Sequence, residues 1–404
     1  MKPISIIKKV VIKRFRSYPS ATLTFDNPLF VVGCNGSGKS NLADIFSFVS
    51  EAMASPLQAV FDRRGGITAV RNKSSGRSYP PNLGLAFEFG PINGIAGGRF
   101  AFEVKALPNY GYQIVQEQCL VRKLDGTRWW FDRKETAWES NAKGLTPALE
   151  ASALSLPLIG GDERFAPIFR ILSSMRVYSI EPAKLREMQD PDSGVALRAD
   201  GGNAASVLQE LSRGDEAAEM RKAINSVLES IAPATKSVAP KKHGNKLSMQ
   251  FSQEWGSDRN KRLTFDAFNM SDGTLRSLGL ILAVFQKPSP SLLVIEEPEA
   301  TIHPGALGAV LDLIRQAVRS MQVVVTTHSP ELLDAKWIQD NNLRVVTWQK
   351  GASHVLMPSQ ATRKAMSEHL MGAGELLRSN ALHAEELFSG GDDLREGDLF
   401  EDLA

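Results

Sequence analysis

Gly33-Cys34-Asn35-Gly36-Ser37-Gly38-Lys39-Ser40 fits the pattern G-x-x-x-x-G-K-[ST], and what flanks it decides the fold. Leu29-Phe30-Val31-Val32 before it is a short apolar run of strand type. After it, from Ser40 to Met53, Leu42, Ile45, Phe46, Val49 and Met53 recur at helical spacing and predict one buried face. A strand, a glycine-rich loop and a helix in this order let backbone N–H groups turn inward around phosphate oxygens, while the helix N-terminus adds partial positive charge. In that frame Lys39 reaches the β- and γ-phosphates and the Ser40 hydroxyl lies on Mg²⁺.

Three further stretches answer to this loop. Leu292-Leu293-Val294-Ile295 is a buried-strand run that ends abruptly in Glu296-Glu297-Pro298-Glu299. Active-site groups collect at the C-terminal ends of parallel strands. There Glu296 would support Mg²⁺, directly or through water, and Glu297 would orient or deprotonate an attacking water. Gln322–Thr327 is a second such run, ending in His328-Ser329-Pro330, and the Pro304–Val318 segment between the two has helical spacing. This strand–helix–strand crossover places His328 on the same rim as Glu297, as a sensor of the γ-phosphate. Met270-Ser271-Asp272-Gly273-Thr274 opens a further helix, in which Ser271 is an N-cap and the helix start is able to bind an anion.

Between these blocks the pattern changes. Strand-like runs are expected at Ile4–Ile12 and Leu23–Val32, and a series at Leu83–Phe89, Arg99–Ala106, Tyr112–Val121 and Thr127–Asp132 predicts an antiparallel sheet. From about Thr146 to Pro233 the chain reads as helical, with one strand at Arg176–Ile180 and helices at Ala204–Leu211 and Glu216–Ile231. A turn-rich basic stretch follows (Ala234–Lys246), then a hairpin of Leu247–Glu254 and Lys261–Phe268.

The 404 residues, 43% hydrophobic and 23% charged, suit a globular chain of two or three units. Two cysteines, Cys34 and Cys119, exclude a disulfide framework and a cysteine zinc cluster and suggest a reducing, cytoplasmic setting. Met1–Lys13 is interrupted by lysines and lacks the apolar core of a secretory signal. No apolar run approaches the ~18 residues of a membrane span. The net charge of +2 conceals a division: Ala384–Ala404 carries eight acidic residues against Arg395, so the rest of the chain is basic. Basic residues concentrate in Phe61–Arg77 (Arg63, Arg64, Arg71, Lys73, Arg77) and Ala234–Arg262 (Lys236, Lys241, Lys242, Lys246, Arg259, Lys261, Arg262). These are either contacts to phosphate backbones or solvated loops. The acidic tail, threaded by Leu387, Phe388, Leu394, Leu399, Phe400 and Leu403, is either solvated or a docking segment, on the chain's own basic surface or elsewhere.

The order of motifs, with Phe15-Arg16-Ser17-Tyr18 after the first strand and Ile302-His303-Pro304 after the acidic stretch, resembles the ABC-type ATPases related to RecF, SMC and the OLD proteins. Among these it is most similar to short prokaryotic ATPases with an AAA-type core domain. The resemblance implies an α/β P-loop NTPase of the ABC-ATPase head type, a mixed sheet with an antiparallel β subdomain and a helical subdomain. The expected division is an N-terminal ATPase lobe (1–145), a mainly helical subdomain (146–233), a C-terminal ATPase lobe (234–357) and a helical, acidic, partly disordered tail (358–404).

It further implies ATP and Mg²⁺ as ligands, with Gly33, Cys34, Asn35, Gly36, Ser37, Gly38, Lys39, Ser40 and Asn41 around the nucleotide, and Ser40 and Glu296 at the metal. Glu297, His328 and Lys39 would be catalytic. Ser271, Asp272 and Gly273 would meet the nucleotide held by a second copy in a head-to-head dimer. Such proteins often carry Asp where this chain has Glu296, and their metal-contacting glutamine is open here among Gln58, Gln113, Gln116 and Gln118. OLD proteins add a nuclease domain; after Trp348 too few residues remain for one, so a nuclease or other effector would be encoded separately. The expected role is an ATP-hydrolysing switch acting on DNA or such an effector, in bacterial genome maintenance or anti-phage defence. The alternatives are a nucleotide-sensing assembly module with little turnover and the ATPase subunit of a transporter.

Overall fold

Three strands open the chain, β1 (Ile7–Phe15), β2 (Tyr18–Thr24) and β3 (Leu29–Val32), and they enter two different sheets. The computed structural model describes residues 4–73, 81–92, 94–109, 111–255, 258–386 and 398–403, with the backbone alone at 255 and 258–261. Arg77 and residues 387–397 of the tail lie outside the described residues, and so do the side chains of Arg259 and Lys261. The single strand expected over Leu23–Val32 is two, because Pro28 has no N–H for a ladder. Asn27 beside it donates its side-chain amide to the Ile4 and Met321 carbonyls (2.6 and 3.0 Å), while its Oδ1 accepts from the Val323 N–H (2.9 Å). The first strand also starts later than expected, since the Ile6 and Ile7 N–H groups donate to the buried Gln322 side chain at 3.1 and 2.8 Å.

β1 and β2 continue into β4 (Asn82–Phe89), β5 (Ile95–Ala106), β6 (Tyr112–Lys123), β7 (Arg128–Lys134) and β8 (Ala137–Ser140). All seven are antiparallel, in the order β2-β1-β4-β5-β6-β7-β8. Alternation sends Leu83, Leu85, Phe87, Phe100 and Phe102 into the larger core. The opposite face carries Val11, Ala86 and Ala101.

The second sheet holds β3 at its centre. It is completed by β9 (Arg176–Tyr178) and, past a small sheet of β10 (Thr235–His243), β11 (Lys246–Trp255) and β12 (Asp258–Asp266), by β13 (Leu292–Glu296), β14 (Gln322–Thr327), β15 (Leu343–Gln349) and β16 (Ala352–Leu356). Its order is β16-β15-β3-β14-β13-β9, parallel from β15 through β9. A parallel sheet covered on both faces must be apolar on both. Leu29, Val31, Leu292 and Val294 join the core that contains Ile45, Phe46 and Val49 of the Lys39–Ala54 helix. Phe30, Val32, Leu293 and Ile295 join the core beneath the Asp272–Phe285 and Leu307–Ala317 helices.

The mixed α/β architecture with an antiparallel sheet is therefore as expected. The turn-rich reading of Ala234–Lys246 is corrected: most of it is β10, an edge strand, where Pro240 removes no ladder bond. Over 146–233 the helices occur, at Leu156–Ile159, Ala166–Ser173, Pro182–Arg186, Ala204–Glu210 and Ala217–Ile231, but Glu187–Asn203 between them is irregular. Among the described residues no helix is long and apolar enough to cross a membrane, and both cysteines are free.

Candidate functional site

β3, β14 and β13 lie side by side and parallel, so the chain leaves all three at one rim. This brings the glycine-rich loop, His328 and the glutamate stretch together. Gly38, the N-cap of the Lys39–Ala54 helix, has φ 115°, a left-handed value natural to glycine. A Cβ there would overlap the Ser353 hydroxyl.

The stretch Phe15–Tyr18 has a physical purpose here. The Tyr18 hydroxyl donates to the Gly38 carbonyl (3.0 Å), and the Asn41 side chain donates to Ser17 Oγ (2.7 Å). Ser353 Oγ donates to the Ser37 carbonyl (2.6 Å), and the Arg16 side chain donates to Asp44 at 2.6 Å. Burial raises the Tyr18 hydroxyl well above its ordinary range, so it stays a donor.

Lys39 is 5% exposed and its ammonium donates to the Gly33 and Cys34 carbonyls (2.7 and 3.1 Å). Burial lowers its pKa, opposed by the nearby carboxylates of Glu297, Glu299 and Glu296. Glu296 accepts a hydrogen bond from the Ser40 side chain. Burial is the main reason its carboxyl lies above the usual range, with Glu297 and Asp44 adding to the rise and Ser40 and Lys39 opposing it. A hydroxyl and a partly buried carboxylate side by side are hard oxygen donors, so Ser40 and Glu296 fit Mg²⁺.

Glu297 has φ 44°, strained for a residue with a side chain, and its N–H donates to the Thr326 carbonyl across the strand ends (3.0 Å). Its carboxylate lies 3.2 Å from Nδ1 of the exposed His328. Glu299, not assigned a task from the sequence, accepts from the Thr327 hydroxyl (2.6 Å) and the His328 N–H (3.3 Å), and so positions the histidine. Its second oxygen is buried without a partner, as are Ser37 Oγ in the loop and Arg276 Nε behind Glu297. Orphaned polar atoms at one rim mark a place whose hydrogen bonding is completed by something else.

Ser271 caps the Asp272–Phe285 helix, accepting from the Thr274 N–H at 3.3 Å. Gly273 is pressed against the Thr301 carbonyl, with no room for a Cβ. Arg276 reaches the Glu297 carbonyl at 3.5 Å, and Arg186 pairs with Asp272. Among the described residues no hydrogen bond or ion pair joins Ser271, Asp272 or Gly273 to Gly33–Asn41. Strand pairing thus brings Lys39, Ser40, Glu296, Glu297 and His328 to one rim.

What sequence missed was the support. Asp44, four residues after Ser40, holds Arg16 and Arg64, and Glu51 holds Arg63 and Arg64. Arg63 and Arg64 belong to the first basic segment, so much of its charge serves the phosphate-loop helix. In the second, Lys236, Lys241 and Lys246 pair with Glu229, Asp266 and Asp190. Of the four glutamines, Gln58 bonds Asp62, Gln116 bonds Asp132 and Gln118 bonds the backbone of Glu401. Among the described residues none of these three bonds to the glycine-rich loop, Glu296, Glu297 or His328.

A family model described as "AAA domain, putative AbiEii toxin, Type IV TA system" matches residues 29–334. Among solved structures, an SMC head bound to the C-terminal winged-helix domain of ScpA is similar in fold, with TM-score 0.55 and 16% identity over 89% of this chain and 99% of that one. A second, the SMC head from Pyrococcus furiosus with an extended coiled coil, bound to the C-terminal domain of ScpA, has TM-score 0.54 and 14% identity over 91% and 100%. A comparison with curated proteins finds no match.

Proposed function

This chain belongs to the AAA-domain family whose model it matches, with the fold of an SMC head, and from that premise we propose that it is an ATP-hydrolysing switch. One observation carries the reading: Glu297 and His328, on neighbouring parallel strand ends, face one another at 3.2 Å on the rim shared with Lys39 and Ser40. The loop from Gly33 to Asn41 cradles the phosphates with its N–H groups, and Lys39 neutralises the β- and γ-oxygens. Ser40 and Glu296 would hold Mg²⁺ there, and the metal would supply positive charge against that building on the phosphate oxygens. Glu297 accepts a proton from the attacking water, and His328, fixed by Glu299, orients at the departing phosphate.

Among the described residues the Ser271–Gly273 turn makes no hydrogen bond or ion pair to the Gly33–Asn41 loop. It completes the site of a second copy, so two chains close head to head around two ATP, and hydrolysis reopens them. The motion passes to DNA or to a separately encoded effector protein in the cytoplasm. The bound ScpA domains on SMC heads supply a precedent for a protein partner, and the setting is bacterial genome maintenance or anti-phage defence. The internal pairing of Arg63, Arg64, Lys236, Lys241 and Lys246 also weighs toward a protein effector.

The test is the solution mass of Glu297→Gln with ATP and Mg²⁺, together with steady-state hydrolysis by the wild type. A doubled mass with ATP and measurable wild-type turnover support the switch. Wild-type turnover no faster than that of Glu297→Gln, with both binding ATP, would leave a nucleotide sensor instead.

A further inference from the structure

The outer face of the antiparallel sheet carries a row of residues that has no part in the rim. Val11, Ala86, Ala101 and Gln118 are partners in register across β1, β4, β5 and β6. Small side chains in the middle of a broad sheet leave a shallow depression, and Gly84 deepens it. The depression is filled: Leu399 packs into it, 6% exposed, touching the place where a Gly84 Cβ would be, and Phe400 lies against the same cluster.

Polar groups fix the orientation. Gln118 is 3% exposed and bonds the Glu401 backbone twice, donating to its carbonyl (2.8 Å) and accepting from its N–H (3.0 Å). Arg99 is 5% exposed and donates to the carbonyls of Asp398 and Leu399 and to the Glu401 carboxylate (2.9 Å), which Arg122 also meets at 3.2 Å.

We propose that this face is a peptide-docking site for a short acidic segment bearing leucine and phenylalanine, and that the chain's own Asp398–Leu403 is a separable ligand seated on it. Three observations distinguish a ligand from an integral part of the fold. The segment adds no strand, so every ladder of the sheet is complete without it. Its apolar cluster is a small one of its own, separate from both large cores. Its carbonyl and amide groups are read by side chains that stand on the sheet like fingers, the way an extended peptide is recognised in a preformed groove. Charge agrees with shape: two arginines meet one glutamate at a site whose occupant comes from the most acidic part of the chain.

The experiment uses a full-length chain with a protease recognition sequence placed within residues 387–397. After folding, cutting and removal of the released piece, a fluorescent peptide of residues 398–403 is titrated by anisotropy. Saturable binding is expected, weakened at least tenfold by Leu399→Ala or Glu401→Ala in the peptide and by added salt. No saturation, or equal binding of the altered peptides, overturns the proposal.

A second variant needs no cutting. The uncut chain carrying Leu399→Ala and Glu401→Ala should bind the wild-type peptide at least tenfold more tightly than the uncut wild-type chain, whose own segment competes. Equal binding by the two shows an integral element, and the docking site falls.

Discussion

Two carboxylates, Glu117 and Glu297, show how differently one chain treats the same group. Glu117 on β6 is fully buried, yet it accepts from the Ser155 and Leu156 N–H groups (2.6 and 2.8 Å) and lies 3.8 Å from Arg133. Arg133, equally buried, donates to the Glu135, Glu150 and Ala153 carbonyls and to Ser155 Oγ. Together they pin the 150–156 segment to the sheet. Glu297 instead stands half-exposed on a left-handed backbone with one imidazole beside it. The first site is satisfied and closed; the second keeps its bonding capacity open. Stability is concentrated where function is absent, and the rim tolerates strain because the sheets behind it are saturated.

The largest effect is expected from Arg133→Ala, which leaves Glu117 buried without its cation. Loss of about 3–5 kcal/mol in chemical denaturation follows; a loss under ~1 kcal/mol would break the contrast. Glu297→Gln comes next, with hydrolysis falling by about 10² or more, close to 2.7 kcal/mol in the barrier. Its unfolding free energy should stay within ~0.5 kcal/mol of wild type, and a strongly destabilised variant would show that the rim is structural after all.

Glu51, on the phosphate-loop helix, sharpens the comparison through pH. Burial alone would raise its carboxyl, but hydrogen bonds from Arg64, Ser47 and Arg63 outweigh that and hold it at about 2. A depressed native pKa favours folding above the unfolded value and loses that contribution as pH falls. The Glu51→Gln variant should therefore be less stable than wild type by about 1–2 kcal/mol above pH 5, after allowance for solvent screening. The gap should close between the ordinary glutamate value and about pH 2. A gap that persists there would assign the effect to packing. Smallest is Tyr18→Phe, which removes the bond to the Gly38 carbonyl and should weaken ATP binding by about fivefold, near 1 kcal/mol, with unchanged chemistry once ATP is bound.

Sequence made the strand ends legible because the physics there is local. Apolar runs of Leu292–Ile295 and Gln322–Thr327 stop where carboxylates and His328 begin, and parallel pairing then brings them to one rim. The inner helix was legible from its period. The brace was not, since Arg16 reaches Asp44 from the β1–β2 turn and Arg64 reaches it from beyond the Leu57–Asp62 helix, and nothing in their spacing announces it. Leu23–Val32 misled because the strand-like residues on the two sides of Asp26-Asn27-Pro28 belong to different sheets. The tail's acidity was visible, but its seat on Arg99 and Gln118 depends on register across four strands.

The turn between β1 and β2 has one more consequence. Tyr18 joins the seven-stranded sheet to the backbone of the glycine-rich loop, Ser17 accepts from the Asn41 side chain and bonds the Ser353 hydroxyl beside it, and Ser353 clamps the same place from β16. The loop backbone is thus held from two different sheets at once, so a substitution in the β1–β2 turn acts on the loop as well as on the strands it joins.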